Sequence, residues 1–341
     1  MVACLIISVI LIICENIYLR IACKFNIIDK PSERSSHSLI VVRGGGIIFL
    51  LGVWIWSFFI GFYYPLFLAA LTLAAVISFI DDIKTLSDST RLIVQFLAVV
   101  MLICQLLVIE NILSLSQVNI YAVVVALIVC VGATNIYNFM DGINGMTAAY
   151  SLAVLLPLIL VNHSNEYVYP SLLYVVLLSV LVFSFFNFRP RGKAKCFAGD
   201  VGSVSIAFIL LFAIGRLIIK TCDLTWLIFL IVYGVDGCLT ICHRILLHEN
   251  LGMAHRKHIY QLMANELNIS HLVVSCFYML LQLMISLGFI YLIPNTTKAH
   301  WVYLFIVLSV LCIAYVIFIR KYYYLHDEYL KHLEYKSRNE N

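Results

Sequence analysis

Long apolar blocks, separated by short polar segments, run along the chain from one end to the other. Each block holds 16 to 22 residues with few or no charged side chains. A helix needs about 20 apolar residues to cross a bilayer. The block from 44 to 80 carries no charge and has to be divided near Gly61 and Pro65. We therefore predict eleven membrane-spanning helices, at 2–19, 44–63, 65–80, 92–109, 117–134, 146–161, 168–186, 201–219, 224–241, 272–293 and 301–319.

Composition agrees with a membrane protein and excludes the soluble classes. Of the 341 residues 63% are hydrophobic and 12% are charged, and the mean hydropathy is +1.01, whereas soluble domains average about 25% charged residues. The 11 cysteines lie mostly inside apolar blocks and show no CxxC or zinc-type spacing. We interpret them as packing residues. The predicted fold class is all-α, a polytopic integral membrane protein with about eleven spans.

Basic residues predict the orientation of these spans. The first block has no basic stretch before it but is followed by Arg20 and Lys24, which favours a span with its N-terminus outside over a cleaved signal peptide. If the loop after it is inside, only Arg216, Lys220 and Lys298 of the 22 basic residues lie outside. Because basic residues favour the cytoplasmic face, we predict the N-terminus outside and the C-terminus inside.

This topology leaves no separate soluble domain. Residues 1–320 form one transmembrane unit, and residues 321–341 form a charged, solvated cytoplasmic tail. The chemistry must then be assembled from the cytoplasmic loops, which we place at 23–43, 81–91, 135–145, 188–200 and 242–271.

Acidic residues next to membrane spans are energetically expensive and often functional. Asp81, Asp82, Asp141, Asp200 and Asp236 all fall at or near the predicted cytoplasmic ends of spans. Any one of them could simply cap a helix, but five from distant segments favour a shared site. Mg²⁺ binds one or two carboxylates together with phosphate oxygens, so this grouping predicts a site for a phosphate compound and a divalent metal.

The residues around these acids strengthen that interpretation. Asp81 and Asp82 are adjacent on a helix and point in different directions, so one could face metal or substrate while the other holds a lysine. Asp200 lies among small residues at a helix start, where backbone N–H groups favour anions. Asp141 opens the turn DGING, whose glycines let a nucleotide approach closely.

Basic side chains gather on the same predicted face. The cluster between 189 and 195 could be only a signal for topology. The segment AHRKH at 254–258 places two histidines and two cations within four residues, which suits a clamp for a pyrophosphate or a sugar nucleotide. It lacks HExxH spacing and cysteine partners, which argues against zinc. The same loop holds Arg244, His248, His255, Arg256, Lys257 and His258.

Taken in order, the motifs resemble the polyprenyl-phosphate N-acetylhexosamine-1-phosphate transferases, relatives of phospho-MurNAc-pentapeptide transferase. The resemblance covers roughly residues 29 to 261. It rests on DxPxxRSxH…RGGG (Asp29 to Gly46), DD (Asp81, Asp82), NxxNxxDG (Asn135, Asn138, Asp141, Gly142), FxGDxGS (Phe197 to Ser203) and AHRxHxYQ (Ala254 to Gln261). Two positions depart from the common pattern: Asn144 stands where many members have aspartate, and Val41-Val42 where they have Thr-Pro.

The resemblance implies an enzyme that transfers a sugar 1-phosphate from a UDP-N-acetylhexosamine to undecaprenyl phosphate. The lipid phosphate attacks the β-phosphorus, UMP leaves, and undecaprenyl-pyrophosphate-sugar remains, as the first step of a surface glycan such as O-antigen. The segment AHRKHIYQ at 254–261 is similar to the corresponding segment of the subgroup that uses 6-deoxy-N-acetylhexosamines such as FucNAc or QuiNAc. It further implies a bacterial inner (cytoplasmic) membrane protein with its active site on the cytoplasmic face, no nucleic-acid partner, and a homodimer as an open alternative.

The resemblance also implies roles for particular residues. Mg²⁺, with Mn²⁺ as the alternative, is expected on Asp200 and Asp82. A phosphate monoester has its second pKa near ~6, so the attacking oxygen needs little help from a base, and electrostatic roles are expected. The catalytic candidates are Asp81, Asp82, Asp200 and His255. The substrate-binding candidates are Asn138, Asp141, Asn144, Arg43, Lys84, Arg244, Arg256 and His258.

Two other classes of protein remain as alternatives. A secondary transporter also carries acids within its membrane spans, but its substrate site lies near the bilayer midplane between repeats. Here the acids cluster at one predicted face, and the sequence shows no internal repeat. A scaffold protein whose charges only set topology leaves the DD, GDVGS and AHRKH groupings without an explanation.

Overall fold

The fold is a bundle of long helices joined by short connections. A computed structural model describes residues 2–29, 39–109, 119–253 and 255–339. Arg34 and His37 of the first predicted loop motif lie outside the described residues. The helices are α1 (Val2–Lys24), α2 (Ile47–Ile60), α3 (Pro65–Ile83), α4 (Asp88–Cys104), α5 (Ile120–Phe139), α6 (Met146–Asn165), α7 (Pro170–Asn187), α8 (Gly199–Thr221), α9 (Ile231–Leu246), α10 (Ile259–Gln261), α11 (His271–Tyr291) and α12 (Thr297–Asn339).

Short irregular turns extend several of these helices. A π-helical turn, Gln105–Ile109, continues α4; a 3₁₀ segment, Leu224–Leu230, leads into α9; and a second π-helical turn, Leu262–Glu266, follows α10. Two prolines start helices at the position where a missing N–H costs nothing, at Pro65 in α3 and Pro170 in α7.

The predicted all-α membrane class is confirmed. In the described part of the chain, ten helices are long and apolar enough to cross a membrane. One predicted span, 44–63, is not among these ten; it corresponds to α2, which has only 14 residues. Helix α2 still joins both ends of the bundle, since Gly46 lies against Gly202 at the start of α8 and the Trp56 indole donates to Ser171 at the start of α7. The orientation in the membrane stays a prediction.

Helix α8 is the centre of the bundle. Of the ten candidate spans it is the most buried, and it contacts α3, α5, α2 and α6. Its first turn lies directly against the segment before α2, where a Cβ on Gly46 would come within 2.3 Å of the Gly202 Cα. This close backbone approach requires glycine at both positions.

The segments between helices that hold the candidate residues meet at one end of the bundle. Strands β1 (Ile28–Asp29) and β2 (Val41–Val42) pair antiparallel there, and Val42 also bridges to Cys196. The chain then continues alongside Phe197 and Ala198, whose carbonyls accept from Gly45 and Gly46. The segment before α2 and the segment before α8 are thereby fixed against each other.

The segment predicted as a charged tail, 321–341, is helical in its described part, and its position relative to the membrane stays a prediction. Helix α12 continues without a break to Asn339, and its extension packs on the loop between α9 and α11. His326 is buried, and its Nδ1 lies 3.0 Å from the Glu266 carboxylate. Tyr323 and Tyr329 of this segment lie under Lys257 and Arg256 of the loop, contacts that the charges of the segment concealed in the sequence.

Candidate active site

The end of α3 and the start of α8 are joined by a single carboxylate. Asp82 Oδ1 accepts from the backbone N–H of Asp200 at 2.9 Å, and its Oδ2 accepts from that of Val201 at 3.0 Å. The N-terminus of α8 does favour an anion, but that anion is a side chain of the protein. Gly199 makes this possible: its φ is +71°, and a Cβ there would come within 2.6 Å of Asp82 Oδ2.

Two arginines hold the three carboxylates together. Arg43 Nε lies 2.7 Å from Asp82 and its terminal nitrogen 3.0 Å from Asp200. Arg91, on the first turns of α4, lies 3.0 Å from Asp81 and 3.3 Å from Asp200. Three carboxyl groups thus share two guanidinium groups, and Asp200 is the one that contacts both.

The two adjacent aspartates do face different partners, but neither partner is a lysine. Besides Arg91, Asp81 accepts from the backbone N–H of Leu86 at 2.7 Å. Lys84 caps the end of α3 and is exposed. The expected lysine partner is therefore corrected, because arginines from other elements take that place. Lys84 does not line the cavity, so its position gives no support to its predicted role in substrate binding.

A cavity of about 200 Å³ opens beside Asp200. Five of the predicted site residues line it, namely Arg43, Asn138, Asp141, Asn144 and Asp200. The Asp200 side chain is 14% exposed, whereas that of Asp82 is fully buried. Asp200 is therefore the acid of this cluster that faces the cavity, and Asp82 fixes its position from behind.

The end of α5 and the turn after it also line the cavity. Asp141 accepts a hydrogen bond of 2.5 Å from the Thr147 hydroxyl, and Asn138 donates to the Ser203 hydroxyl on α8. Burial raises the pKa of Asp141 to about 7, although the Thr147 hydroxyl opposes the shift. A carboxyl group and a carboxamide therefore line the cavity together with Asp200, and Asn138 also hydrogen-bonds to Asp200.

Asn144 has a task that an aspartate could not perform. Its side-chain nitrogen donates to the carbonyls of Arg189 and Pro190 at 2.9 and 3.0 Å, and a carboxylate has no hydrogen to give there. Asn187 at the end of α7 accepts from Gly145 and donates to the Cys196 carbonyl. These two amides tie the turn after α5 to the segment before α8, and both line the cavity.

Arg244 is committed to the loop that follows α9. Its guanidinium contacts Glu249 at 3.1 Å and donates to the backbone carbonyls of Asn250, Leu251 and Met253. The side chain is 4% exposed and is not among the residues lining the cavity. The structure gives Arg244 a position that shapes the loop, and no contact here supports its predicted role on substrate.

The other two cations of the histidine loop also point to protein partners. Arg256 pairs with Glu266 at 2.8 Å and lies over the Tyr329 ring of α12 at 4.1 Å. Lys257 pairs with Glu249 and lies over the Tyr323 ring. The predicted clamp of loop cations therefore finds no support in their positions. The arginine that lines the cavity is Arg43, and Arg91 contacts Asp200 without lining the cavity.

The two histidines of the loop lie next to each other and close to the turn after α5. Their ring centroids are 5.0 Å apart, and His255 packs edge-on against Phe139. Burial, helped by the neighbouring His258 and the Arg244 guanidinium, lowers the pKa of His255 to about 3. His255 is therefore neutral at physiological pH, so it can form hydrogen bonds but cannot neutralise a diphosphate.

The donor set fits a magnesium ion that is shared with substrate. Among the described residues, no three His, Cys, Asp or Glu side chains form a ready-made cage. Mg²⁺ is often held by one or two carboxylates plus substrate phosphates, and Asp200 presents such a carboxylate to the cavity. Asp82 fits this role less well, because both of its oxygens already accept backbone N–H groups.

Several residues of the site were not predicted. Arg91 is one basic residue in a loop already expected to be basic, so its sequence position carried no separate signal. Asn187, Gln261 and His271 also line the cavity. Of these only Gln261 lay within a recognised motif, and the other two reach the site through packing of α7 and α11.

Comparison with known proteins agrees with the motifs. The model of glycosyl transferase family 4 matches residues 64–218. The chain is 28% identical over 303 residues, 84% of its length and 82% of the relative's, to a "probable undecaprenyl-phosphate N-acetylglucosaminyl 1-phosphate transferase" of Bacillus subtilis. It is 34% identical over 97 residues, 28% of each chain, to a phospho-N-acetylmuramoyl-pentapeptide-transferase of Deinococcus radiodurans. It is 31% identical to the Wolbachia protein of the same name, over 41% of this chain and 48% of that one.

The helices long enough to cross a membrane and these similarities support a multi-pass membrane enzyme that transfers a sugar phosphate. The predicted resemblance is borne out to this extent: the chain is similar to glycosyl transferase family 4 over residues 64–218, and over most of its length to a relative that is named as an undecaprenyl-phosphate sugar 1-phosphate transferase.

Proposed function

We propose that this enzyme transfers a sugar 1-phosphate from a UDP-N-acetylhexosamine to undecaprenyl phosphate and thereby starts a surface glycan. The observation that carries the proposal is the cavity where Asp141 and Asp200 face each other beside Arg43. Carboxylates that can share a divalent cation, next to guanidinium groups that attract phosphate, suit a nucleoside diphosphate. The proposed location is the bacterial inner membrane, with the cavity on the cytoplasmic side.

The reaction is a phosphoryl transfer between two phosphate compounds. An oxygen of the lipid phosphate forms a bond to the β-phosphorus of the donor, the bond from that phosphorus to the bridging oxygen breaks, and UMP leaves with that oxygen. The lipid phosphate is largely ionised at neutral pH. Such reactions depend on positioning and charge stabilisation more than on proton removal, and a neutral His255 is compatible with that.

Each part of the site has a task in this proposal. Asn138 and Asp141 contact the nucleotide at the turn after α5, and His258 contacts the diphosphate or sugar from the histidine loop. Arg43 and Arg91 hold Asp200 in place and bring positive charge to the end of the bundle where the phosphates meet. Asp82 fixes the start of α8, so that Asp200 keeps its direction into the cavity.

A divalent ion, Mg²⁺ or Mn²⁺, completes the proposed site on Asp200. When bound, it would supply positive charge to the diphosphate oxygens. The cluster has one carboxyl group more than it has guanidinium groups, and a cation there would offset this excess.

The transporter alternative is less compatible with the position of the site. Transporters bind substrate near the bilayer midplane, between repeats. The cavity of this enzyme lies where α3 and α5 end and α8 begins, at one end of the bundle. No observation on the described residues favours transport.

Purified enzyme with undecaprenyl phosphate and a panel of UDP-sugars tests the proposal. UMP release is followed with UDP-GlcNAc, UDP-GalNAc, UDP-FucNAc and UDP-QuiNAc, with Mg²⁺ or with EDTA. We expect release from one donor that requires the lipid and is lost in EDTA. Release that does not need the lipid, or that persists in EDTA, would contradict the acceptor or the metal respectively. No release from any donor by folded enzyme would contradict the proposal itself.

A further inference from the structure

A buried carboxylate on α9 contacts the histidine loop. Asp236 Oδ1 lies 3.3 Å from His258 Nδ1 and accepts from the backbone N–H of Ile259 and the Thr240 hydroxyl, each at 3.2 Å. Its Oδ2 accepts from the Tyr278 hydroxyl at 2.6 Å. Residues of α9, α10 and α11 thus converge on this side chain, which is 4% exposed.

These contacts determine which nitrogen of His258 carries hydrogen toward Asp236. An ionised carboxylate only accepts hydrogen bonds, so the Nδ1 that faces it must be the protonated nitrogen. The ring is 1% exposed, and its Nε2 is buried without a hydrogen-bond partner among the described residues. A buried polar atom without a hydrogen-bond partner is unfavourable, and a bound ligand would supply the missing partner.

The same loop is connected to the walls of the cavity. The backbone N–H of His258 donates to the Gln261 side chain, and Gln261 lines the cavity. Tyr260 stacks near the His258 ring and donates to the Phe139 carbonyl at 2.8 Å, two residues before Asp141. The orientation of His258 is therefore coupled to the turn that we assign to the nucleotide.

We propose that Asp236 is a positioning residue: it holds His258 with hydrogen on Nδ1, so that Nε2 is the nitrogen presented to the transferred diphosphate or sugar. The inference rests on the proposed function, which places His258 on that part of the substrate. Asp236 acts through His258 and has no contact with substrate itself.

A double-mutant cycle separates this role from a merely structural one. Asp236→Asn keeps the shape of the side chain but offers Nδ1 a group that can also donate. We expect kcat for UMP release to fall roughly 100-fold, the loss that a misplacement of about 1 Å in an active site can cause, with little change in KM. In a His258→Ala background the same change should cause no further loss, since coupled residues are not additive. Losses that multiply would overturn the proposal.

The opposite end of the bundle offers a matched control. Asp223 lies 2.6 Å from His300 Nδ1 and is also largely buried, so Asp223→Asn disrupts a buried Asp–His pair away from the cavity. We expect its kcat per folded enzyme to stay within about twofold of wild type, as for changes outside the reacting groups. An equal loss in both variants would show that disruption of any buried pair is enough, and would overturn the assignment.

A spectroscopic measurement makes the test independent of activity. In enzyme carrying ¹⁵N-histidine, we expect a protonated, hydrogen-bonded Nδ1 signal that disappears in His258→Ala and shifts in Asp236→Asn. Its absence would overturn the positioning role even if UMP is released. If the signal is present but no donor is turned over, the proposed function fails while the Asp236–His258 pair stands. If Asp236→Asn does not fold, Tyr278→Phe replaces it in the cycle. We expect this variant to show a smaller loss of kcat, and no further loss in the His258→Ala background.

Discussion

Both ends of the helical bundle contain a cavity and a buried Asp–His pair, but charge is concentrated at one of them. The cavity beside Asp200 has about 200 Å³ and is lined by three aspartates and an arginine. The cavity at the other end is larger, about 420 Å³, and its described lining includes one carboxylate, Asp223, and no lysine or arginine. The two cavities therefore differ in charge rather than in size alone, and the proposed function places the chemistry at the charged one.

The largest effect that would test this contrast is expected at Asp200. Asp200→Asn removes the carboxylate that faces the cavity and contacts both arginines, and we expect UMP release to fall by at least ~10³-fold, because electrostatic groups at a reacting phosphate contribute this much or more. Asp223→Asn, the same change at the other end, should stay near wild type. Both variants are assayed side by side after thermal unfolding has shown them folded. Retained activity in Asp200→Asn would contradict the assignment.

Arg91→Lys tests whether the geometry of the cluster matters beyond its charge. The guanidinium reaches Asp81 and Asp200 at once, whereas a single ammonium cannot reproduce that fork. We expect a loss of roughly 10- to 100-fold in UMP release, since a charged hydrogen bond contributes about 1.5–3 kcal/mol. Arg216→Lys is the matched control, because Arg216 donates to the Tyr167 carbonyl away from the cavity. Equal rates for the two variants would show that charge alone is sufficient at position 91.

A smaller effect is expected where α12 packs on the histidine loop. Glu266 accepts from Arg256 at 2.8 Å and contacts His326 of α12 at 3.0 Å. Glu266→Gln weakens both contacts, and we expect UMP release to fall several-fold because the loop is held less firmly. Glu328→Gln, on an exposed part of α12, should change nothing. Activity unchanged in both variants would mean that α12 does not support the loop.

The two ends should also differ in how pH affects stability. The pKa of Asp141 is raised by burial to about 7, so the folded state holds this proton more tightly than the unfolded state. The contribution of Asp141 to the free energy of unfolding is therefore complete below the unfolded pKa near 4 and is lost as the pH rises toward 7. For Asp223 burial is outweighed by the Thr225 hydroxyl and His300, and its pKa is lowered. Its contribution is present above the unfolded pKa and is lost as the pH falls.

Thermal unfolding of single variants measures this difference. From pH 4 to 7 the midpoint of wild type should fall relative to that of Asp141→Asn, by a few degrees. Below pH 4 the midpoint of wild type should fall toward that of Asp223→Asn. The same pH dependence in both pairs would contradict the assigned difference between the two ends.

The sequence predicted what depends on local pattern. Apolar length gave the spans, and acids at span ends predicted that Asp141 and Asp200 share a site. Contacts between distant segments were not accessible in this way. The cap that Asp82 places on α8 joins residues 118 positions apart, and the Arg256 partners lie on α12 as well as in its own loop. Charges with protein partners and charges facing a cavity have the same sequence signature.

The central claim is that the charged end of the bundle binds the nucleotide. The most direct test is a cryo-EM map of the enzyme with Mg²⁺ and UMP, the product common to every UDP-sugar donor. The account predicts nucleotide density beside Asn138 and Asp141, with a cation next to Asp200. Nucleotide density in the opposite cavity, beside Asp223 and His300, would contradict it.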